Sequence, residues 1–314
     1  MQDSNDKTEI KRLQRILMQK PKDTNVLFEL AMVFYLNDNY EKAKELFLKI
    51  LTLTPNSIGA HFNIANVYRL ENNIPQAKHH YLKVVENAQE EQAFFYLGFL
   101  SEKENDFEAA KQYYLKALAI DPMHEYACDR LAMIHLKEGD ILKAKRYFLK
   151  SLEIDPNSAE THVNLGIIFN KEGNLSKAKK HYIKALEIDP DLPIAHCNLG
   201  VVYEKEKDIH QSLYHLLKAV ELNPDYVVAH TNLGALLAEI GEYVPAREHL
   251  EKALELEPNF EPALIALRRL PKEDTANDDT DSINPRQLSE KEILNSEMNK
   301  KILSLIANKF VNKK

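Results

Sequence analysis

Proline returns at a constant interval along this chain. Pro122, Pro156, Pro190, Pro224 and Pro258 follow one another at steps of 34 residues, and Pro21 and Pro55 are separated by the same step. Pro55 and Pro122 are 67 residues apart, so one marker is missing and one residue is deleted, near Ala88 and Gln89. Self-similarity of this length identifies a supersecondary unit that cannot bury its own apolar face and is stacked so that neighbours complete the core. Such a stack grows in one dimension. The 314 residues, which would otherwise suggest about two globular domains, therefore need no single large core.

Aligning the units with the marker proline at position 32 shows what else recurs. Position 7 is Leu30, Ile64, Leu97, Leu131, Leu165, Leu199 and Leu233. Position 8 is small: Ala31, Ala65, Gly98, Ala132, Gly166, Gly200 and Gly234. Position 20 is Ala43, Ala77, Ala110, Ala144, Ala178, Ser212 and Ala246, and position 24 is large: Phe47, Tyr81, Tyr114, Phe148, Tyr182, Leu216 and Leu250. Each unit thus holds two apolar stretches at helical spacing, separated by a turn such as Glu172-Gly173-Asn174. Small residues let the two helices approach, the large residue fills the space between units, and proline ends the second helix because it cannot continue the hydrogen-bonded ladder. Where the proline is lost, either the helices adjust or the stack bends.

This pattern resembles the tetratricopeptide repeat, over roughly Thr24 to Leu270, as seven full units. The resemblance implies an all-α, right-handed solenoid of antiparallel helix pairs whose first helices line a concave groove. The expected organisation is a capping helix in residues 1–23, seven units and a solvating helix in 24–270, a disordered acidic linker in 271–287 and an amphipathic helix in 288–314. The groove-facing positions of the family imply partner-binding roles here. In the first four units they hold Asn63, Asn66, Arg69, Tyr96, Phe99, Tyr126 and Arg130, with Phe28, Phe62 and Phe95 better suited to packing between helices. In the last three they hold Asn164, Lys171, Asn198, Lys205 and Asn232. The strings from His162 to Gly166, His196 to Gly200 and His230 to Gly234 each place asparagine two residues after histidine. They are similar to the asparagine ladder in the repeat domain of O-GlcNAc transferases, although no residues remain for a catalytic domain. An amide can both donate to and accept from a peptide group; asparagine there can equally support the fold. The carboxylate clamp that captures chaperone tails is not matched, since Phe62 and Tyr96 stand where lysine and asparagine are required.

Chemistry finds little purchase. Four of the eight glycines are at position 8 and three are in turns, leaving only Gly59, so no glycine cluster remains to cradle a phosphate. His162, His196 and His230 recur one per unit, too far apart to share an ion about 2 Å from each nitrogen; they read as packing residues, and His79-His80 as a solvated face. No cofactor, metal or catalysis is expected. The net charge of -7 and pI near 6.0 argue against a nucleic-acid partner, which needs a basic stripe. Cys128 and Cys197 fall in different repeats and read as buried spacers rather than a disulfide. The polar, acidic start and the absence of an apolar run near the ~18 residues of a membrane span give the expectation of a cytoplasmic protein.

After Pro271 the sequence becomes acidic and almost free of apolar residues. From Leu288 it gains a capping box, Ser289 with Glu292, and an apolar stripe of Leu294, Met298, Ile302, Leu305, Ile306 and Phe310 with a lysine-rich end. Such a helix suits an extra cap on the repeats, a recognition element for a partner or an anionic membrane surface, or a plug for the groove. The function expected is a non-catalytic scaffold or adaptor for a protein or extended peptide. The rivals are a membrane-associated assembly factor recruited by that helix and the repeat arm of a glycosyltransferase system. Oligomeric state is open.

Overall fold

In the computed structural model, which describes residues 2–271, the described residues are helical hairpins with no strand. The linker and amphipathic helix expected after Pro271 lie outside the described residues. The chain divides into two compact units, one ending at Ile154 and one beginning at Asp155. The first contains α1 (Gln2–Gln19), α2 (Thr24–Leu36), α3 (Tyr40–Leu53), α4 (Ile58–Leu70), α5 (Ile74–Asn87), α6 (Glu91–Lys103), α7 (Phe107–Ile120), α8 (Glu125–Lys137) and α9 (Ile141–Ile154). The second contains α10 (Ala159–Lys171), α11 (Leu175–Ile188), α12 (Pro193–Lys205), α13 (Ile209–Leu222), α14 (Val227–Glu239), α15 (Tyr243–Leu256) and α16 (Glu261–Arg269).

From α2 to α15 every first helix has 13 residues and every second helix 14. The boundaries have local causes. The turn between the helices of a hairpin always contains one residue in the left-handed region: Asp38, Asn72, Asn105, Gly139, Gly173, Lys207 or Gly241. The asparagine or aspartate that directly follows it caps the second helix, as Asn39, Asn73, Asp106, Asn174 and Asp208 do by accepting from a backbone N–H of the first turn. At the far end, the side chains of Asp121, Asp155, Asp189 and Asn223 accept from the amide two residues on, closing an Asx turn around the marker proline.

The repeat that lacks its proline keeps both helix lengths. The deletion is absorbed by the loop between α5 and α6, residues 88–90, and Glu90 begins α6 without a side-chain cap. Removing one loop residue costs little closure entropy, whereas removing it from a helix would rotate every later side chain off its face.

The core is built from the periodic positions. The residues at positions 20 and 24 are sealed from solvent in every hairpin, each large side chain contributing roughly 1.5–3 kcal/mol by leaving water. Position 8 is small for a geometric reason: a Cβ added to Gly98 would lie 2.6 Å from the Tyr114 ring, and one added to Gly200 would lie 2.7 Å from Leu216 Cγ. Helix α1 closes one end of this core, with Leu13 fully buried beside Leu27 and Leu30. At the other end of the second unit, α16 packs on α14 and α15 and buries Ala263. In four hairpins a lysine of the second helix also reaches the end of the next first helix. Lys44 meets Glu71 at 2.7 Å, Lys78 meets Glu104 at 2.5 Å and Lys111 meets Glu138 at 2.6 Å in the first unit, and Lys179 meets Glu206 at 2.6 Å in the second. Pairs this near the surface add at most about 1 kcal/mol each; they set register more than stability.

Candidate peptide-binding face

In the first unit, the first helices α2, α4, α6 and α8 carry an aromatic and cationic face. Phe28, Phe62 and Phe95 are half-buried packing groups: Phe28 meets Phe47 edge-on at 5.5 Å, Phe62 meets Tyr81 at 5.8 Å, and Phe95 meets Tyr114 at 5.6 Å and His124 at 4.7 Å between ring centres. Tyr96 stacks on Tyr81 at 5.4 Å. The Arg69 guanidinium, from the preceding first helix, lies over the Tyr96 ring at 4.6 Å. The Phe99 ring receives two cations, Lys103 and Arg130, each at 5.6 Å. Tyr126 is the most open of these groups, 65 % exposed.

Asn66 does not belong to this face. It is buried at 8 % exposure, and its Oδ1 accepts from the Tyr81 hydroxyl at 2.6 Å. Its carbonyl satisfies the polar tip of a core tyrosine. Glu102, which the repeat pattern does not single out, has a related role: its Oε2 accepts from the Tyr114 hydroxyl at 2.5 Å and lies 4.0 Å from Arg130 Nε. Burial first, and this carboxylate second, push the Tyr114 phenol far up.

In the second unit the face is amide and lysine. Asn198 Nδ2 donates to the Ile194 carbonyl one turn back at 2.8 Å, as Asn63 in the first unit does to Gly59. Each amide therefore uses one N–H to fix its orientation and keeps its Oδ1 and a second N–H for another group. Asn232 is turned differently, its Nδ2 meeting Cys197 Sγ at 3.4 Å. Asn164 is half-buried and makes no side-chain hydrogen bond among the described residues. Lys205 donates to Asn170 Oδ1 at 2.8 Å, linking α12 to α10, and Lys171 is exposed. Both thiols are buried, and desolvation raises Cys128 and Cys197 to about 11, so neither presents a thiolate at neutral pH.

The histidines form a pattern that the sequence reading missed. His61, His162, His196 and His230 each place Nδ1 at 2.9–3.0 Å from Nδ1 of the histidine 19 residues on, namely His80, His181, His215 and His249. The Nε2 of the first member lies 2.9–3.1 Å from the carbonyl of the preceding proline, Pro55, Pro156, Pro190 or Pro224. A carbonyl only accepts, so that Nε2 carries the proton, and the second histidine must donate from Nδ1. His80 is accordingly buried, not part of a solvated face as expected; it stacks on Tyr68. The recurrent 19-residue spacing between histidines was the available signal. In the other hairpins the same two positions hold Leu27 and Leu46, Phe94 and Tyr113, or Cys128 and Tyr147.

Models of the tetratricopeptide repeat match residues 24–57, 91–124, 125–158, 147–180 and 191–258, and a model described as TPR repeat matches 166–207. The stacked helical hairpins define an α-solenoid of the kind used for protein interaction. The chain belongs to the tetratricopeptide repeat family. Its fold is shared with YrrB, a TPR protein described as having an unusual peptide-binding site (23% identity, 58% of this chain and 95% of that one, TM-score 0.51). It is shared too with the C-terminal part of a TPR repeat-containing protein from Cytophaga hutchinsonii (20% identity, 76% and 99%, TM-score 0.59) and with pilF of Pseudomonas aeruginosa (20% identity, 69% and 97%, TM-score 0.59). No curated protein sequence matches the chain significantly. Among the described residues, no helix is long and apolar enough to cross a membrane.

Proposed function

We propose that this chain is a non-catalytic scaffold or adaptor that holds a protein or extended peptide against the first-helix face of its repeats. One observation carries the reading. The core is completed by positions 7, 8, 20 and 24, while the first helices hold aromatic, amide and cationic groups that the fold leaves partly unused. Tyr126 is 65 % exposed, Asn63 and Asn198 keep half of their amide capacity, and Arg69 meets no carboxylate among the described residues. Groups fixed on rigid helices lose little entropy when they bind, which favours recognition there. The amides suit the peptide backbone and the aromatics suit apolar side chains.

Site-specific photocrosslinking tests the reading. A crosslinking residue at Tyr126, or at Lys205, is expected to form adducts with cellular proteins that the same residue at Leu142, 76 % exposed on a second helix, does not form. Adducts from Leu142 alone would reject the first-helix face as the binding surface.

A further inference from the structure

Arg69 meets no carboxylate among the described residues; its contacts are the Tyr96 ring and the Tyr81 hydroxyl. Its Nε is sealed from solvent and meets no acceptor. A buried guanidinium N–H without a partner carries a desolvation cost of about 1–3 kcal/mol, and the rest of the charge has no counter-ion among the described residues. The groups around it are neutral phenols, and the Tyr81 hydroxyl, which donates to Asn66, accepts from the guanidinium. Tyr96 lies beneath it, and Tyr35 holds the equivalent position of the preceding first helix, α2. Neither hydroxyl is hydrogen-bonded within the described residues. The neighbouring acid, Glu102, is committed to Tyr114 and Arg130, and Asp38 accepts from Tyr40. One helix further on, Lys103 and Arg130 flank the Phe99 ring.

We infer that Arg69, with the hydroxyls of Tyr35 and Tyr96, is a carboxylate-accepting centre, and that the face selects extended segments carrying Asp or Glu side chains beside apolar ones. This rests on the first-helix face being the binding surface. The guanidinium and the phenol O–H groups beside it offer several donors and no carboxylate, which matches an incoming carboxylate. The aromatic rings beneath the cations take the flanking apolar side chains. The cationic points at Arg69 and around Phe99 lie on successive stretches of the face. A chain terminus would supply one carboxylate to one of them, whereas acidic side chains supply both. The commitment is therefore to internal Asp or Glu.

The test uses the full chain, fluorescently labelled, on an array of dodecapeptides blocked at both ends. A matched array replaces every Asp and Glu by Asn and Gln, and a third gives those neutral peptides a free C-terminal carboxylate. The strongest binders are expected to be acidic and to weaken about tenfold or more when neutralised, a factor that corresponds to about 1.4 kcal/mol. Arg69→Gln is expected to weaken them by a similar factor and Arg69→Lys by less, with thermal unfolding of both variants like that of the parent chain. Binders without preference for acid, binding unchanged in Arg69→Gln, or binding restored by a free terminus alone would each overturn the inference. If such binders still depend on Asn63 and Tyr126, the first-helix face survives and only its acid selectivity fails. An array with no binder at all counts against both.

Discussion

Tyr81, Tyr114 and Tyr182 occupy one position of the repeat and are equally buried, yet their hydroxyls have different fates. Tyr81 donates to Asn66 and Tyr114 to Glu102. Tyr182 finds no partner among the described residues, and the residue equivalent to Asn66 in its hairpin is Ile167. An unsatisfied buried hydroxyl costs free energy that a matched pair does not. Tyr182→Phe is therefore expected to be neutral or to stabilise by up to about 1 kcal/mol, whereas Tyr81→Phe, which orphans the Asn66 carbonyl, is expected to cost about 1–2 kcal/mol. Denaturant titration of the two variants checks the contrast; equal effects would refute it. Lys207 is a second residue-scale case. It takes φ of +64° at the turn where three other hairpins use glycine, and its ion pair with Glu239 is largely exposed. Lys207→Gly is expected to gain about 0.5–1 kcal/mol by relieving left-handed strain at an L-residue, read as a higher denaturation midpoint.

Within a hairpin, the two helices are held by a close approach on one side and by a paired contact on the other. The Tyr114 ring occupies the space a Cβ at Gly98 would need. Gly98→Ala is expected to destabilise by about 1–3 kcal/mol through overpacking, measured by thermal or chemical unfolding, although alanine is the better helix former. The paired contact is sensitive to pH where it is made by histidines. Burial first, and the facing histidine second, lower His80, His181 and His215 to about 4 and His249 to about 3. In the unfolded chain these groups titrate near 6.5. Below that pH the unfolded state takes up protons that the folded pairs refuse, so stability falls as pH drops from about 6.5 toward 4 and is fully present above about 7. Unfolding midpoints at pH 7.5 and 5.5 are expected to differ in that direction. Replacing His196 and His215 together by leucine, the pair found at Leu27 and Leu46, is expected to shrink the difference, and an unchanged difference would remove the histidines as its source.

Over the whole molecule, stability is a sum of hairpins and their contacts with immediate neighbours. The end hairpins depend on their covering helices. Leu13, on α1, is fully buried against Leu27 and Leu30, and Leu13→Ala is expected to cost about 2–4 kcal/mol locally. Because each hairpin touches only its neighbours, faster amide exchange is expected in α1 to α4 with little change in α12 to α16. Uniform acceleration along the chain would show instead that it unfolds as one cooperative body.

The proline period, the small and large positions and the turn residues determined the helices, their hairpin pairing and the core almost residue by residue. Each of these depends on neighbours within one hairpin or the next, and a repeated sequence states such local relations several times over. Even the deleted residue could be placed, since only a loop can lose it without rotating a helix. Which polar groups remain available to a partner was decided by tertiary structure. Asn66 and Asn63 lie on one helix and look alike in sequence; the depth of the Tyr81 hydroxyl turns one inward, and the Gly59 carbonyl orients the other at the surface. The histidine pairs, and the meeting of Arg69 with Tyr96 from the next first helix, arise only when side chains far apart in sequence are stacked within a few ångströms, where burial and distance determine how each hydrogen bond and charge is spent.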